Sequence, residues 1–270
     1  GFWMSADNGK TWALTSQREL EVNSIAVHPE EPNKVYIATN NYGLMVSTDG
    51  GRNFSIQNGN FTSRFMQKIV PDIERPNHFY ATTNNTATGG GFIFISDDGG
   101  QTWNPSTKNL SVIRVKAFSF LQDKLNPNTI YIGTNMGIYR SLDRGISWNP
   151  IAAPKSATVS KKTTKKKTAA KSKTITAAVV TPKLIFLKDT VRALSYTNDG
   201  KDGLLAATDS GLYRTYDMTK GWEKISFGTG IDENVFSFHV ALAQPNTIWV
   251  GTVRSGVILS TDNGVSWKKI

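Results

Sequence analysis

Cysteine is absent from the 270-residue chain, and its absence excludes disulfides, cysteine nucleophiles and thiolate metal sites while leaving the compartment open. Histidine is scarce. His28, His78 and His239 are the only three, two of them sit in or beside Pro/Asn turns, and no pair shows metal-ligand spacing. No apolar run approaches the ~20 residues that a bilayer-crossing helix needs. No stretch carries the 3.6-residue period of an amphipathic helix. The start, Gly1-Phe2-Trp3-Met4, lacks the basic-then-apolar pattern of a secretory signal. The chain therefore reads as a piece of a longer protein, with any targeting signal expected upstream.

Charge of one sign is missing from one place. Between Pro154 and Pro182 there are eight lysines and no acidic residue, and these eight account for all but +2 of the net charge of +10. The body of the chain is near neutral, so its basicity is a local feature and no signature of specific nucleic-acid binding.

What is abundant is self-similarity. Ser5-Ala-Asp7-Asn-Gly9-Lys-Thr-Trp12 returns as Ser47-Thr-Asp49-Gly-Gly51-Arg-Asn-Phe54 and as Ser96-Asp-Asp98-Gly-Gly100-Gln-Thr-Trp103. It returns again as Ser141-Leu-Asp143-Arg-Gly145-Ile-Ser-Trp148 and as Ser260-Thr-Asp262-Asn-Gly264-Val-Ser-Trp267. A sixth copy, Thr215-Tyr-Asp217-Met-Thr219-Lys-Gly-Trp222, has Thr219 in the glycine position. The aspartates are spaced by 42, 49, 45, 74 and 45 residues. The long interval exceeds its neighbours by about the length of the lysine-rich stretch, which makes residues 154–182 an insertion into a regular array.

A period near 45 residues fits a blade of four antiparallel strands. Each period offers a β-rich run (Val22–Val27, Val191–Tyr196), a Pro/Asn turn, a second run (Val35–Thr39, Ile130–Thr134), a glycine turn, and a third run ending in the repeat motif. The motif's aromatic residue opens the fourth strand. The expected fold is an all-β propeller of about five complete blades plus a half-blade, part of a larger ring. The half-blade covers 1–16, and the blades run over about 22–57, 65–106, 114–152, 190–226 and 235–270. The whole is one propeller segment interrupted by a 154–182 insertion, whose Lys/Thr/Ala/Ser composition favours disorder. The half-blade's inner strands are expected upstream. Expressed alone, the segment is expected to expose unpaired edges and aggregate.

The motif has the chemistry of a tight hairpin. The carboxylates of Asp7, Asp49, Asp98, Asp143, Asp217 and Asp262 can accept the backbone N–H groups that follow them. The glycine two residues on tolerates positive φ, the serine bonds across the turn, and the aromatic ring packs back beneath it. A catalytic reading would require one active site per blade. One carboxylate per turn also falls far short of the six to eight oxygens that calcium takes. A structural role, with no metal and no cofactor, is expected.

At these residues the chain resembles the Asp-box, or bacterial neuraminidase repeat (BNR), family of sialidase-like propellers. In style it is nearest to the photosystem II assembly-factor-like and general bacterial members. The resemblance implies Asp boxes on third-to-fourth-strand turns at the rim, away from the ligand site, and an extracellular or periplasmic home. Sialidases of that family carry an Arg-Ile-Pro motif, which does not occur here. The function implied is a non-catalytic binding or assembly scaffold for a protein or polysaccharide partner. The alternative is part of a glycoside hydrolase, sialidase- or xyloglucanase-like, completed by upstream blades, with two carboxylates at the required separation.

In a propeller the fourth-to-first connections and the second-to-third turns share one face. Candidate ligand residues there are the second residues of the first strands, Asn23, Gln67, Lys116, Arg192 and Phe236. Neighbouring loops add Arg18, Arg64, Arg114, Arg254, Tyr42, Asn84, Asn135 and Asp209. A ring of arginine, lysine and amides suits a carboxylate or sugar, and equally a polar channel filled with water. The insertion is expected to project from the same face, either as a solvated loop or as a contact for an anionic partner.

Overall fold

The computed structural model describes residues 1–61, 65–84, 88, 90–151 and 184–270. Every regular element in it is a strand. A two-stranded sheet, β1 (Trp3–Met4) and β2 (Ala13–Leu14), precedes five four-stranded antiparallel sheets. The first comprises β3 (Val22–Val27), β4 (Val35–Thr39), β5 (Gly43–Ser47) and β6 (Ser55–Ile56). The second comprises β7 (Met66–Pro71), β8 (Phe79–Thr83), β9 (Ile93–Ser96) and β10 (Asn104–Pro105). The third holds β11 (Ala117–Gln122), β12 (Ile130–Thr134), β13 (Gly137–Ser141) and β14 (Asn149–Pro150). The fourth holds β15 (Val191–Tyr196), β16 (Leu204–Thr208), β17 (Gly211–Thr215) and β18 (Glu223–Ile225). The fifth holds β19 (Val235–Val240), β20 (Ile248–Thr252), β21 (Val257–Ser260) and β22 (Lys268–Lys269).

Each sheet is a meander whose strands pair in chain order. The first strands β3, β7, β11, β15 and β19 lie beside one another from sheet to sheet, so they line an axis and the fourth strands form the circumference. This is the radial arrangement of propeller blades. The lysine-rich insertion, 154–182, lies outside the described residues.

The core is the set of interfaces between blades. Strand residues alternate in direction, so Tyr36 and Ala38 of β4 pack with Ile69, Phe79 and Trp103 of the next blade. Val35 and Ile37, between them, pack with Phe2 and Leu20 on the other side. Strands β4, β8, β12 and β16 are buried along their whole length. The motif aromatics Trp103, Trp148 and Trp222 are at most 2% exposed. At ~25 cal/mol per Å², burying such a side chain is worth about 4–6 kcal/mol of transfer free energy.

The Asp boxes form the hairpins that their residues dictate. In the copy at 96–103, Ser96 Oγ donates to Asp98 Oδ1 and accepts the Gly100 N–H, both at 2.8 Å. Asp98 in turn accepts the N–H groups of Gln101 and Thr102 and the Thr102 hydroxyl. The copies at Asp7, Asp49, Asp143 and Asp262 repeat the serine–carboxylate bond. Their glycines lie at φ between 83° and 89°. The copy at Asp217 differs. Asp217 accepts the Thr219 N–H and hydroxyl, and positive φ is displaced to Gly221, at 108°.

Candidate functional site

Antiparallel order puts two sets of loops at opposite ends of every blade. The second-to-third-strand turns join the residues that precede the first strands: Asn40 N–H donates to the Glu21 carbonyl, Asn84 to Phe65, Asn135 to Lys116 and Val253 to Asn234. At the other end the Asp boxes join the first-to-second-strand loops, as Gly99 N–H does to the Asn77 carbonyl. The candidate ligand residues belong to the first of these faces.

Every first strand carries a β-bulge at its second residue, where the pairing register shifts. A bulge turns a side chain out of the ladder, and here it presents Asn23, Gln67, Phe118, Arg192 and Phe236 at the axis mouth. This corrects the expectation for the third blade. There, β11 opens at Ala117, so Phe118 and not Lys116 holds the bulge. Lys116 instead bonds the second-to-third turn: its N–H donates to Asn135 Oδ1 at 2.8 Å. The physical reason is the preceding connection, residues 106–116, which is longer than the 57–65 and 226–234 connections.

Two bulge residues are tied into the scaffold. Asn23 Nδ2 donates to the Met66 carbonyl of the next blade at 2.9 Å and to Asn40 Oδ1 at 2.8 Å. Arg192 Nη1 donates to the Val235 carbonyl and to Asn234 Oδ1, while its Nη2 pairs with Asp209 at 2.5 Å. Both therefore clamp one blade to the next. Asn135 Nδ2 likewise holds the Arg114 carbonyl, and Asn84 is partly buried.

Two cation–ring contacts lie at the mouth. The Lys116 ammonium lies 5.3 Å from the Phe118 ring centroid, and the Arg192 guanidinium lies 5.7 Å from that of Phe236. Burial pushes the Lys116 ammonium below the ordinary lysine value, and it does the same to Lys68. Neither amine is in an ion pair with a described residue. Arg18, Arg114, Arg254 and Tyr42 are exposed on connections and turns of this face, and Gln67 is partly buried. Arg64 lies outside the described residues.

Sequence reasoning missed Lys68 and Phe118. The bulge explains why, since it shifts which residue of a strand turns toward the axis, and no turn residue announces it. It also passed over the apolar side chains Phe65, Ile113 and Val253, each of them exposed on the same face. A β-rich reading assigns such residues to a core by default.

Among the described residues, no group of three or more His, Asp and Glu side chains stands close enough to hold a metal ion. No helix is long and apolar enough to cross a membrane.

The fold and the turn chemistry together define the class of protein. The BNR/Asp-box repeat family model matches residues 94–105, the β9-to-β10 turn, and the fold that carries this repeat is a β-propeller. No curated protein matches it in sequence. Among solved structures it is similar to an ancestral GH74 enzyme, with a TM-score of 0.71 and 22% identity over 99% of this chain. It spans 35% of that protein's length. YCF48 bound to D1 peptide is similar at a TM-score of 0.58 and 14% identity, over 97% of this chain and 73% of that one. The extracellular domain of a hybrid two-component system from B. thetaiotaomicron is similar at 0.60 and 17%, over 89% and 27% of the two chains.

Proposed function

We propose that the chain is a non-catalytic propeller scaffold that binds or assembles a protein or polymer partner through its loop face. The observation that carries this reading is the makeup of that face. Exposed Phe65, Ile113, Phe236 and Val253 are interspersed with Lys116, Arg114, Arg192 and Arg254. Apolar surface rimmed by charge is the usual composition of an interaction site. The likeness to YCF48 bound to D1 peptide supports a polypeptide partner. The likeness to extracellular domains supports an extracellular or periplasmic location.

A second reading, part of a glycoside hydrolase, is favoured by the likeness to the GH74 enzyme along nearly the whole chain. One experiment tests the scaffold reading. The full chain and an Arg114→Glu/Lys116→Glu/Arg254→Glu variant are titrated with an acidic peptide and with polygalacturonate, and both are incubated with xyloglucan. Binding that falls at least tenfold in the variant, with no new reducing ends released, is the expected result. Equal binding by both proteins, or hydrolysis of xyloglucan, overturns the scaffold reading.

A further inference from the structure

Four Asp-box turns are tied to the first-to-second-strand loop of their own blade by one backbone hydrogen bond. The N–H after the aspartate donates to an asparagine carbonyl: Gly50 to Asn33, Gly99 to Asn77, Arg144 to Asn128 and Asn263 to Asn246, at 2.8 to 2.9 Å. The fourth blade lacks this tie, because Met218 makes no such bond to the 197–203 loop. Among the described residues only the Tyr216 hydroxyl, donating to Asp199 Oδ2, joins turn to loop there by a side chain, and a cavity of 330 Å³ lies between them and the Asp123–Leu125 loop of the third blade.

The cavity is aromatic. Tyr131 and Tyr196 line its interior and Tyr216, 44% exposed, its lip. The carboxylates of Asp123, Asp202 and Asp217 stand around it. Among the described residues only Asp217 of these is ion-paired, to exposed Lys220 at 3.3 Å. Burial, followed by the nearby Asp123 carboxylate, pushes up the hydroxyls of Tyr131 and Tyr196, the latter to about 12. Such a site disfavours negative charge.

The chain already places cations on these rings. Lys124 Nζ lies 5.1 Å from the Tyr196 centroid, Lys201 Nζ 5.4 Å from that of Tyr216, and the Arg214 guanidinium 5.6 Å from the same ring. Ring faces flanked by carboxylates attract ammonium groups. Lys124 and Lys201 are exposed and hold no ion pair with a described residue, so an incoming amine can displace them.

We propose that this pocket takes a lysine side chain of a partner polypeptide. The ammonium sits over the tyrosine rings against Asp123 and Asp202, and the aliphatic stem packs on Leu204 and Met218. The site lies on the Asp-box face, opposite the loop face, and stands independently of the function proposed above. A carboxylate ligand would meet three carboxylates, and a purely apolar one would strand the Asp202 carboxylate at a dry contact.

The test uses the full chain labelled with 13C-methyl methionine, the Met218 signal being identified by Met218→Leu. Titration with acetyl-Gly-Lys-Gly-amide is expected to give a saturable Met218 shift that the Nζ-acetylated peptide does not. Lys124→Ala/Lys201→Ala removes the competing ammoniums and is expected to tighten binding about threefold, and Tyr216→Leu to weaken it by a similar factor. The other four methionine signals report that each variant keeps its fold. An equal response to the acetylated peptide or to acetyl-Gly-Glu-Gly-amide overturns the proposal, as does weaker binding by the double lysine variant. Equal affinity in a chain lacking 155–173 supports a partner's lysine. Binding that appears only after that deletion overturns it, since the chain's own lysines would then be the occupants.

Discussion

Arg144, inside the Asp box of the third blade, reaches across the blade boundary and donates from Nη1 to Asp72 Oδ1 at 2.8 Å. Both side chains are buried, at 8% and 0% exposure. Nη2 also pairs with Glu74 at 2.7 Å, and Nε donates to Asn128 Oδ1. Asp72 completes its shell with the N–H groups of Glu74 and Arg75, the Tyr80 hydroxyl and the Gln122 amide. Arg144 holds this position at φ 55°, where the other intact copies carry Asn or Gly.

Removing one partner of a buried pair leaves the other charge uncompensated. Arg144→Ala is expected to destabilise the chain by about 3–5 kcal/mol in denaturant unfolding. Arg144→Gly should lose less, by about 1 kcal/mol, because glycine tolerates the left-handed backbone. Equal losses would mean that the backbone conformation relaxes on its own.

The same pair predicts an acid response. Burial raises the Asp72 pKa, but its hydrogen bonds outweigh burial and hold it below the ordinary value. The boxes add to this. The Thr11 hydroxyl, foremost, holds Asp7 at about 2, and the Ser266 hydroxyl does the same for Asp262. A depressed folded-state pKa gives stability that is present above the unfolded value near 4 and is lost as pH falls toward 2. The melting temperature is therefore expected to drop through that interval. A flat profile between pH 4 and 2 would contradict it.

Two glycines of left-handed backbone separate steric from conformational need. A Cβ on Gly59, φ 52°, would lie 1.8 Å from the Gln101 carbonyl oxygen of the next blade, whereas Gly228, φ 84°, faces open space. Gly228→Ala is expected to cost about 1 kcal/mol. Gly59→Ala should cost more than 3 kcal/mol, because the two blades must move apart. Comparable melting temperatures for the two variants would refute this.

The serine of the box is a further test. Ser96 is fully buried, and Ser96→Ala leaves the Gly100 N–H without its acceptor. The expected loss is about 1–3 kcal/mol in chemical unfolding. No loss would mean that the hairpin is held by Asp98 alone.

The lysine-rich insertion yields a charge prediction. Deleting 155–173 removes eight positive charges and is expected to leave the melting temperature unchanged while weakening salt-sensitive binding to an anionic polymer. Polymer binding that is the same before and after deletion assigns the stretch no part in recognition.

The primary sequence determined the hairpins by itself. Ser96, Asp98 and Gly100 satisfy one another within four residues, so spacing and residue type suffice to specify the turn, and its recurrence specifies the blades. The blade interfaces were legible only as a pattern of β-rich runs. Tertiary structure decided the rest. Which residue of a first strand turns toward the axis depends on a bulge and on the length of the preceding connection, so Phe118 displaced Lys116. The Asp72–Arg144 pair spans 72 residues, and the tyrosine pocket joins loops of two blades. Hydrogen bonding between near neighbours leaves a signature in the chain, whereas proximity between distant residues arises only when the blades pack.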